Sequence, residues 1–142
     1  MSEDIRHLQL PLFEAEARDL RLGEMVTVSG LVFTGRSRLH IRALEDDIVP
    51  PLDFTVINCC FHVGPVMRET AHGWEVVSIE PTSSIRFERY GGALVRKLGL
   101  RALIGKTTMG PATAAALREV GAVHLTKLGV CGNLLRRQVR RV

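Results

Sequence analysis

The chain has 142 residues, 46% of them hydrophobic, and a formal net charge of +4. This is the size and apolar content of one globular domain with its own core, and no apolar run approaches the roughly 20 residues that a helix needs to cross a bilayer. The start Met1-Ser2-Glu3-Asp4 lacks the basic and apolar regions of a signal peptide, so a cytoplasmic protein with no membrane contact is expected.

Residues 2–22 mix apolar and charged side chains without a clean period, although Leu8, Leu10 and Leu12 alternate around Pro11. They predict an extended N-terminal arm over 1–22. Gly23-Glu24 marks a turn, and residues 25–34 read as the first strong strand, with Gly30 permitting a bulge or a close backbone approach. Residues 37–44 suit a short helix capped by Ser37, which puts Arg36 at a strand-to-helix junction and His40 on the first turn. After an acidic, proline-containing loop over 45–51, residues 54–61 read as a continuous apolar strand, and His62-Val63-Gly64-Pro65 turns out of it.

Residues 68–73 are polar, and residues 74–79 form a strand closed by Pro81, which cannot donate to a ladder. A helix follows over about 88–98, with Gly99 as its C-cap. Residues 100–104 are a short apolar strand that delivers Gly105-Lys106-Thr107, and Pro111 opens a helix to about Val120 with Thr108 as its cap. A last strand over 121–125 precedes a glycine-bounded loop over 129–132 and a basic C-terminal helix. Strands alternating with helices predict an α/β fold with a mixed sheet, in one domain: the arm, a body over 23–133 and a basic tail over 134–142.

The chemistry centres on Glu80-Pro81-Thr82-Ser83-Ser84-Ile85-Arg86, where an apolar run breaks into a hydroxyl-rich turn that ends on a guanidinium. Any of the three hydroxyls could simply cap the following helix. A guanidinium beside a helix N-terminus also makes a receptor for carboxylate or phosphate. Lys106 lies after a strand and before a helix, where an ammonium can meet an anion, but position 100 is Leu where a phosphate loop requires glycine. The histidines at 40, 62, 72 and 124 have no metal-ligand spacing. The three cysteines, two adjacent at 59 and 60 and one at 131, give neither a disulfide framework nor an iron–sulfur spacing and read as buried or half-buried thiols. The Arg136 to Arg141 cluster is basic enough to meet nucleic acid, yet with 5% aromatic residues and no recognition motif it reads as a solvated helix face.

Four ordered motifs, Phe33-Thr34-Gly35-Arg36 with His40, His62-Val63-Gly64-Pro65, Pro81-Thr82-Ser83-Ser84-Ile85-Arg86, and Ile104-Gly105-Lys106 with Met109-Gly110-Pro111, resemble the β subunit of the iron–sulfur hydro-lyases. That family comprises class I fumarases and L(+)-tartrate dehydratases. The stretch from Phe61-His62 to Met67-Arg68, with Trp74-Glu75-Val76-Val77-Ser78, tilts the resemblance toward tartrate dehydratase. It implies a swivelling β/β/α domain, a small dicarboxylate substrate and a 4Fe-4S cluster held by an α subunit rather than by this chain, in a hetero-oligomer or homodimer. It places the catalytic roles on Thr82, as base, and Lys106, and substrate binding on Arg36, His40, Ser83, Arg86 and Gly105.

Several positions depart from the family's pattern. Glu80 stands for a glycine, Ser83 for a threonine, Phe87 and Glu88 for methionine and aspartate, and Thr107 for a glycine, and the chain is short of the family's further C-terminal strand. A non-catalytic or degenerate binding or assembly module of the same fold is therefore the rival expectation. Drawing a proton from a carbon next to a carboxylate builds a second charge on that carboxylate, so the chemistry asks for fixed cations such as Arg36, Arg86 and Lys106.

Overall fold

The computed structural model describes residues 5–129 and 131–142; Met1 to Asp4 of the expected arm and Val130 of the loop before the last helix lie outside them. The chain runs through β1 (Arg6–Gln9), α1 (Glu14–Asp19), β2 (Val26–Ser29), β3 (Phe33–Gly35), α2 (Ser37–Leu44), β4 (Cys59–His62), β5 (Val66–Thr70) and β6 (Gly73–Ser78). A 3-10 turn (Ser84–Phe87) then leads into α3 (Glu88–Leu98), β7 (Ala102–Gly105), α4 (Pro111–Val120), β8 (Val123–Thr126) and α5 (Gly132–Arg136).

Four strands form one all-parallel sheet in the order β3-β4-β7-β8. Crossovers between parallel strands are right-handed, and a sheet that grows in one direction by such crossovers carries all its helices on one face. Helices α2, α3 and α4 accordingly share a core with one face of the sheet: Ala43, Leu94, Val95, Leu98 and Leu117 pack on Phe33, Cys60 and Leu103. Each fully buried leucine here, Leu94 and Leu103 among them, contributes about 1.5–3 kcal/mol of transfer free energy.

The other face carries Cys59 and Ala102 with the half-buried Ile104, Val123 and Leu125, and it is covered by residues the sequence assigns to an arm. β1 pairs in parallel with β2, and Leu8, Leu10, Leu12 and Ala17 are buried against the sheet. Buried Asn58 locks this layer down: its amide donates to the Leu12 carbonyl at 2.8 Å and its carbonyl accepts the Leu12 N–H at 3.1 Å. The result is a β/β/α layering of an α/β fold, with its antiparallel pairing placed in the separate β5–β6 hairpin.

Several local expectations are corrected. The single strand over 25–34 is two strands in two sheets, broken at Gly30. Its φ of +126° and the Leu10 Cβ 2.7 Å from where a side chain would start leave room for glycine alone. The strand over 54–61 is ordered as strand only from Cys59, because Asp53 turns the chain by accepting the Thr55 N–H at 2.9 Å. Cys131 is exposed. Helix α5 ends at Arg136, and the tail is not merely a solvated face, since Leu135 and Val139 pack on the cluster of Phe61, Val63 and Ile79.

Ser37 is the first residue of α2 rather than its cap, and Thr108 does not cap α4. That role falls to Glu88 from the first turn of α3. Its carboxylate accepts the N–H groups of Gly110, Ala112 and Thr113 at 2.8, 2.9 and 3.1 Å, which satisfies the free amides of α4 and ties it to α3. Glu88→Ala should therefore lower the unfolding free energy by about 1–2 kcal/mol; chemical denaturation showing no loss would refute the capping role.

Candidate functional site

The parallel strands bring their C-terminal ends to one edge, where sites of open α/β sheets form. Gly35 pairs with His62 at the ends of β3 and β4, and Gly105 pairs with Thr126 at the ends of β7 and β8. Arg36 and Lys106 are thus the first residues beyond two strand ends. The hydroxyl-rich turn is laid across this edge by two isolated bridges, Val63 with Pro81 and Ser83 with Lys106. Its backbone is tied to two strand ends: Thr82 N–H donates to His62 O at 2.7 Å, Lys106 N–H to Thr82 O at 3.1 Å, and Ser84 N–H to Lys106 O at 2.7 Å.

Arg36, Arg86 and Lys106 are exposed, and none of the ion pairs among the described residues uses them. The Arg36 side chain lies over Gly64, whose missing Cβ would sit 2.8 Å from Arg36 Cδ. Thr82 and Ser83 are half-buried. No side-chain hydrogen bond caps the turn that follows, so the capping role open to these hydroxyls on sequence grounds is not taken up. The sequence-derived cations and hydroxyls do gather at one edge.

Two expected substrate residues sit behind that edge instead of on it. His40 is fully buried, and its Nδ1 lies 2.9 Å from the Arg36 carbonyl, which can only accept, so Nδ1 carries the proton. Gly105 is buried, and a Cβ there would fall 1.9 Å from Ser84 Oγ. Its lack of a side chain makes room for Ser84, whose hydroxyl lies 2.8 Å from His62 Nδ1 and 2.9 Å from His124 Nε2. This convergence is what sequence reasoning missed, since the three residues are 22 and 40 positions apart. A signal did exist. In register, Cys60 and His124 are both level with Leu103 on β7, and His62 lies two residues beyond Cys60 on β4, so both imidazoles fall on the helix-facing side of the sheet.

Phe87 closes the cluster from α3's entry, stacked on His40 at 4.6 Å between ring centres and tilted to His62 at 4.8 Å. Burial holds all three imidazoles below their ordinary value of 6.5. His62 falls to about 3, by burial first and then by the neighbouring His40 and His124. His124 falls to about 4 by burial, and His40 is lowered by burial against the opposing bond to Arg36. Among the described residues His40 Nε2 and His62 Nε2 are buried without a partner, an arrangement that costs on the order of 1–3 kcal/mol each.

Thr107, beside Lys106, has φ +64°, a left-handed conformation costly for a β-branched residue. Its carbonyl accepts the Thr126 hydroxyl at 3.1 Å, which helps hold it there. Thr107→Gly should raise stability by about 1 kcal/mol, read as a higher denaturation midpoint; a lower one would show that the threonine is not strained. The histidines set the acid limit. Between pH 6.5 and about 4 the unfolded chain binds protons at His62 and His124 that the folded chain refuses, so stability falls as pH falls. From pH 7 to 5 the loss should approach about 2 kcal/mol for each of the two groups, and a urea midpoint unchanged over that interval would contradict it.

Comparisons with known proteins place the chain in a family. The chain is 40% identical over 123 residues to "Putative fumarate hydratase class I" of Geobacillus stearothermophilus, an alignment that covers 86% of this chain and 23% of that protein. It is 30% identical over 135 residues to L(+)-tartrate dehydratase subunit beta of Escherichia coli K12, covering 95% of this chain and 67% of that subunit. It therefore spans under a quarter of the first relative and two thirds of the second. The family model described as the fumarase C-terminus matches residues 2–142, and the chain belongs to the fumarase C-terminal family.

Proposed function

We propose that this chain is the substrate-binding half of a dicarboxylate hydro-lyase of the tartrate dehydratase or class I fumarase type. The observation that carries the reading is the edge where Arg36, Lys106 and the turn bearing Thr82, Ser83 and Arg86 meet, with the three cations exposed and outside the ion pairs of the described residues. The substrate carboxylate next to the reacting carbon would bind Lys106 and Arg86, and Arg36 would take the far one. As the proton leaves carbon, negative charge grows on the near carboxylate, and fixed cations at a sheet edge meet that charge without reorganising. Thr82 is the proposed base. A threonine hydroxyl ionises far above neutral pH, so neighbouring cations must stabilise its alkoxide or relay its proton.

A 4Fe-4S cluster does not fit this chain. Cys59 and Cys60 are buried, one against each face of the sheet, burial pushes the Cys59 thiol up to about 12, and Cys131 is exposed. Among the described residues no three His, Cys, Asp or Glu side chains could hold a metal ion. The cluster is assigned to a partner, in keeping with the word "subunit" in the name of the Escherichia coli relative. The chain purified alone should carry no iron and no dehydratase activity, and stoichiometric iron with sulfide would overturn this division.

Reconstituted with a cluster-bearing partner without oxygen, the complex should dehydrate tartrate or malate. Lys106→Ala should lower turnover roughly a hundredfold, about 3 kcal/mol of transition-state stabilisation, while weakening substrate binding less. Thr82→Ala should keep dicarboxylate affinity and stop exchange of the substrate C–H in heavy water. Exchange at the wild-type rate would leave Thr82 a binding role only. A complex that binds dicarboxylate and never turns it over would favour an assembly module.

A further inference from the structure

Ser84, His62 and His124 belong to neither the exposed cations nor the two free hydroxyls, yet they lie directly beneath them. Ser84 is the most constrained residue of the turn. Its N–H donates to Lys106 O, its hydroxyl reaches His62 on β4 and His124 on β8, and its Oγ occupies the space that Gly105 leaves open. Lys106 in turn donates its N–H to Thr82 O. The position of Ser84 thereby sets those of Thr82 and Lys106.

The hydroxyl has one hydrogen and two imidazole neighbours, so with both rings neutral it donates to one and accepts from the other. The direction follows from His40. Its Nδ1 is spent on the Arg36 carbonyl, which leaves Nε2 as a bare lone pair buried without a partner, beside a His62 ring 5.6 Å away between centres whose Nε2 is also unpartnered. A lone pair in that apolar enclosure favours a neighbouring N–H over a second lone pair. His62 then carries its hydrogen on Nε2 and accepts from Ser84 at Nδ1, and His124 donates from Nε2.

We propose that His124, Ser84 and His62 form a one-way hydrogen-bond relay, His124 Nε2–H to Ser84 Oγ–H to His62 Nδ1, whose job is to position Thr82 and Lys106 at the reacting carbon. This rests on the hydro-lyase reading for its consequence and on the geometry alone for its existence. All three are positioning residues: Ser84 and His62 are fully buried, and the half-buried His124 directs its Nε2 to the Ser84 hydroxyl. The relay stays neutral at physiological pH because burial keeps His62 and His124 unprotonated, so it adds no charge that would repel the nearby cations.

The first test needs only the chain as it is. With nitrogen-15 in the histidines, NMR at pH 7 should show His62 and His124 as Nε2–H tautomers and His40 as Nδ1–H; Nδ1–H at both His62 and His124 would overturn the direction. The second compares His124→Leu with His124→Gln, whose amide can reach the place of Nε2. His124→Leu should shift the amide resonances of Thr82 and Lys106 and weaken their protection from exchange, and His124→Gln should restore both. In the active complex His124→Leu should lower kcat by about tenfold or more with KM little changed, and His124→Gln should recover most of it. Wild-type kcat in His124→Leu, or equal losses in the two variants, would overturn the positioning role. Should His124→Leu fail to fold, His124→Gln and the wild-type spectra still decide it. An inactive wild-type complex together with the expected tautomers and amide shifts would sink the hydro-lyase reading and leave the relay standing.

Discussion

The hand of the β-strand crossovers governs this molecule. Four parallel strands laid down in sequence order carry three helices to one face, and the opposite apolar face then has to be covered by something outside the repeating pattern. Residues 8–28 do this, with Leu8, Leu10 and Leu12 buried and Asn58 bonding both backbone groups of Leu12. The same topology aligns the strand C-termini, which gives an edge where Arg36 and Lys106 emerge on either side of the end of β4, with the turn of Thr82 laid across it.

At that edge the fold divides polar residues into two layers. The outer layer of Arg36, Arg86, Lys106, Thr82 and Ser83 is left exposed or half-buried. The inner layer has His40, His62 and Ser84 buried with Phe87 and His124 half-buried beside them, and desolvation keeps its imidazoles neutral. Fixed charge outside and neutral hydrogen bonding inside is the division that the proposed binding of a dicarboxylate asks for. Charges inside would be costly to bury, and neutral groups outside would not hold carboxylates strongly.

Positions set apart in the sequence from the expected family pattern acquire physical meaning in the structure. Glu88 caps α4, and Phe87 is the ring on which His40 stacks. Thr107 occupies a left-handed conformation that glycine adopts freely, so this departure carries strain next to Lys106. Glu80 is exposed and lies against Gly132 at the start of α5.

What the sequence determined by itself was what depends on neighbours along the chain. The α/β alternation, helix α2, the C-cap at Gly99 with φ +65°, Pro111 opening α4 and the resemblance to the family were all legible, because capping, turn chemistry, periodicity and short motifs act over a few residues. What only the tertiary structure decided depends on contacts between distant segments. The arm became a layer because a sheet face needed covering, Glu88 displaced Thr108 as the cap across 22 positions, and histidines that look unremarkable one by one met around Ser84. A hydroxyl in a Thr-Ser-Ser turn looks the same in sequence whether it caps a helix, faces a ligand or links two imidazoles. The choice among these rests on Gly105, which left space for Ser84 alone.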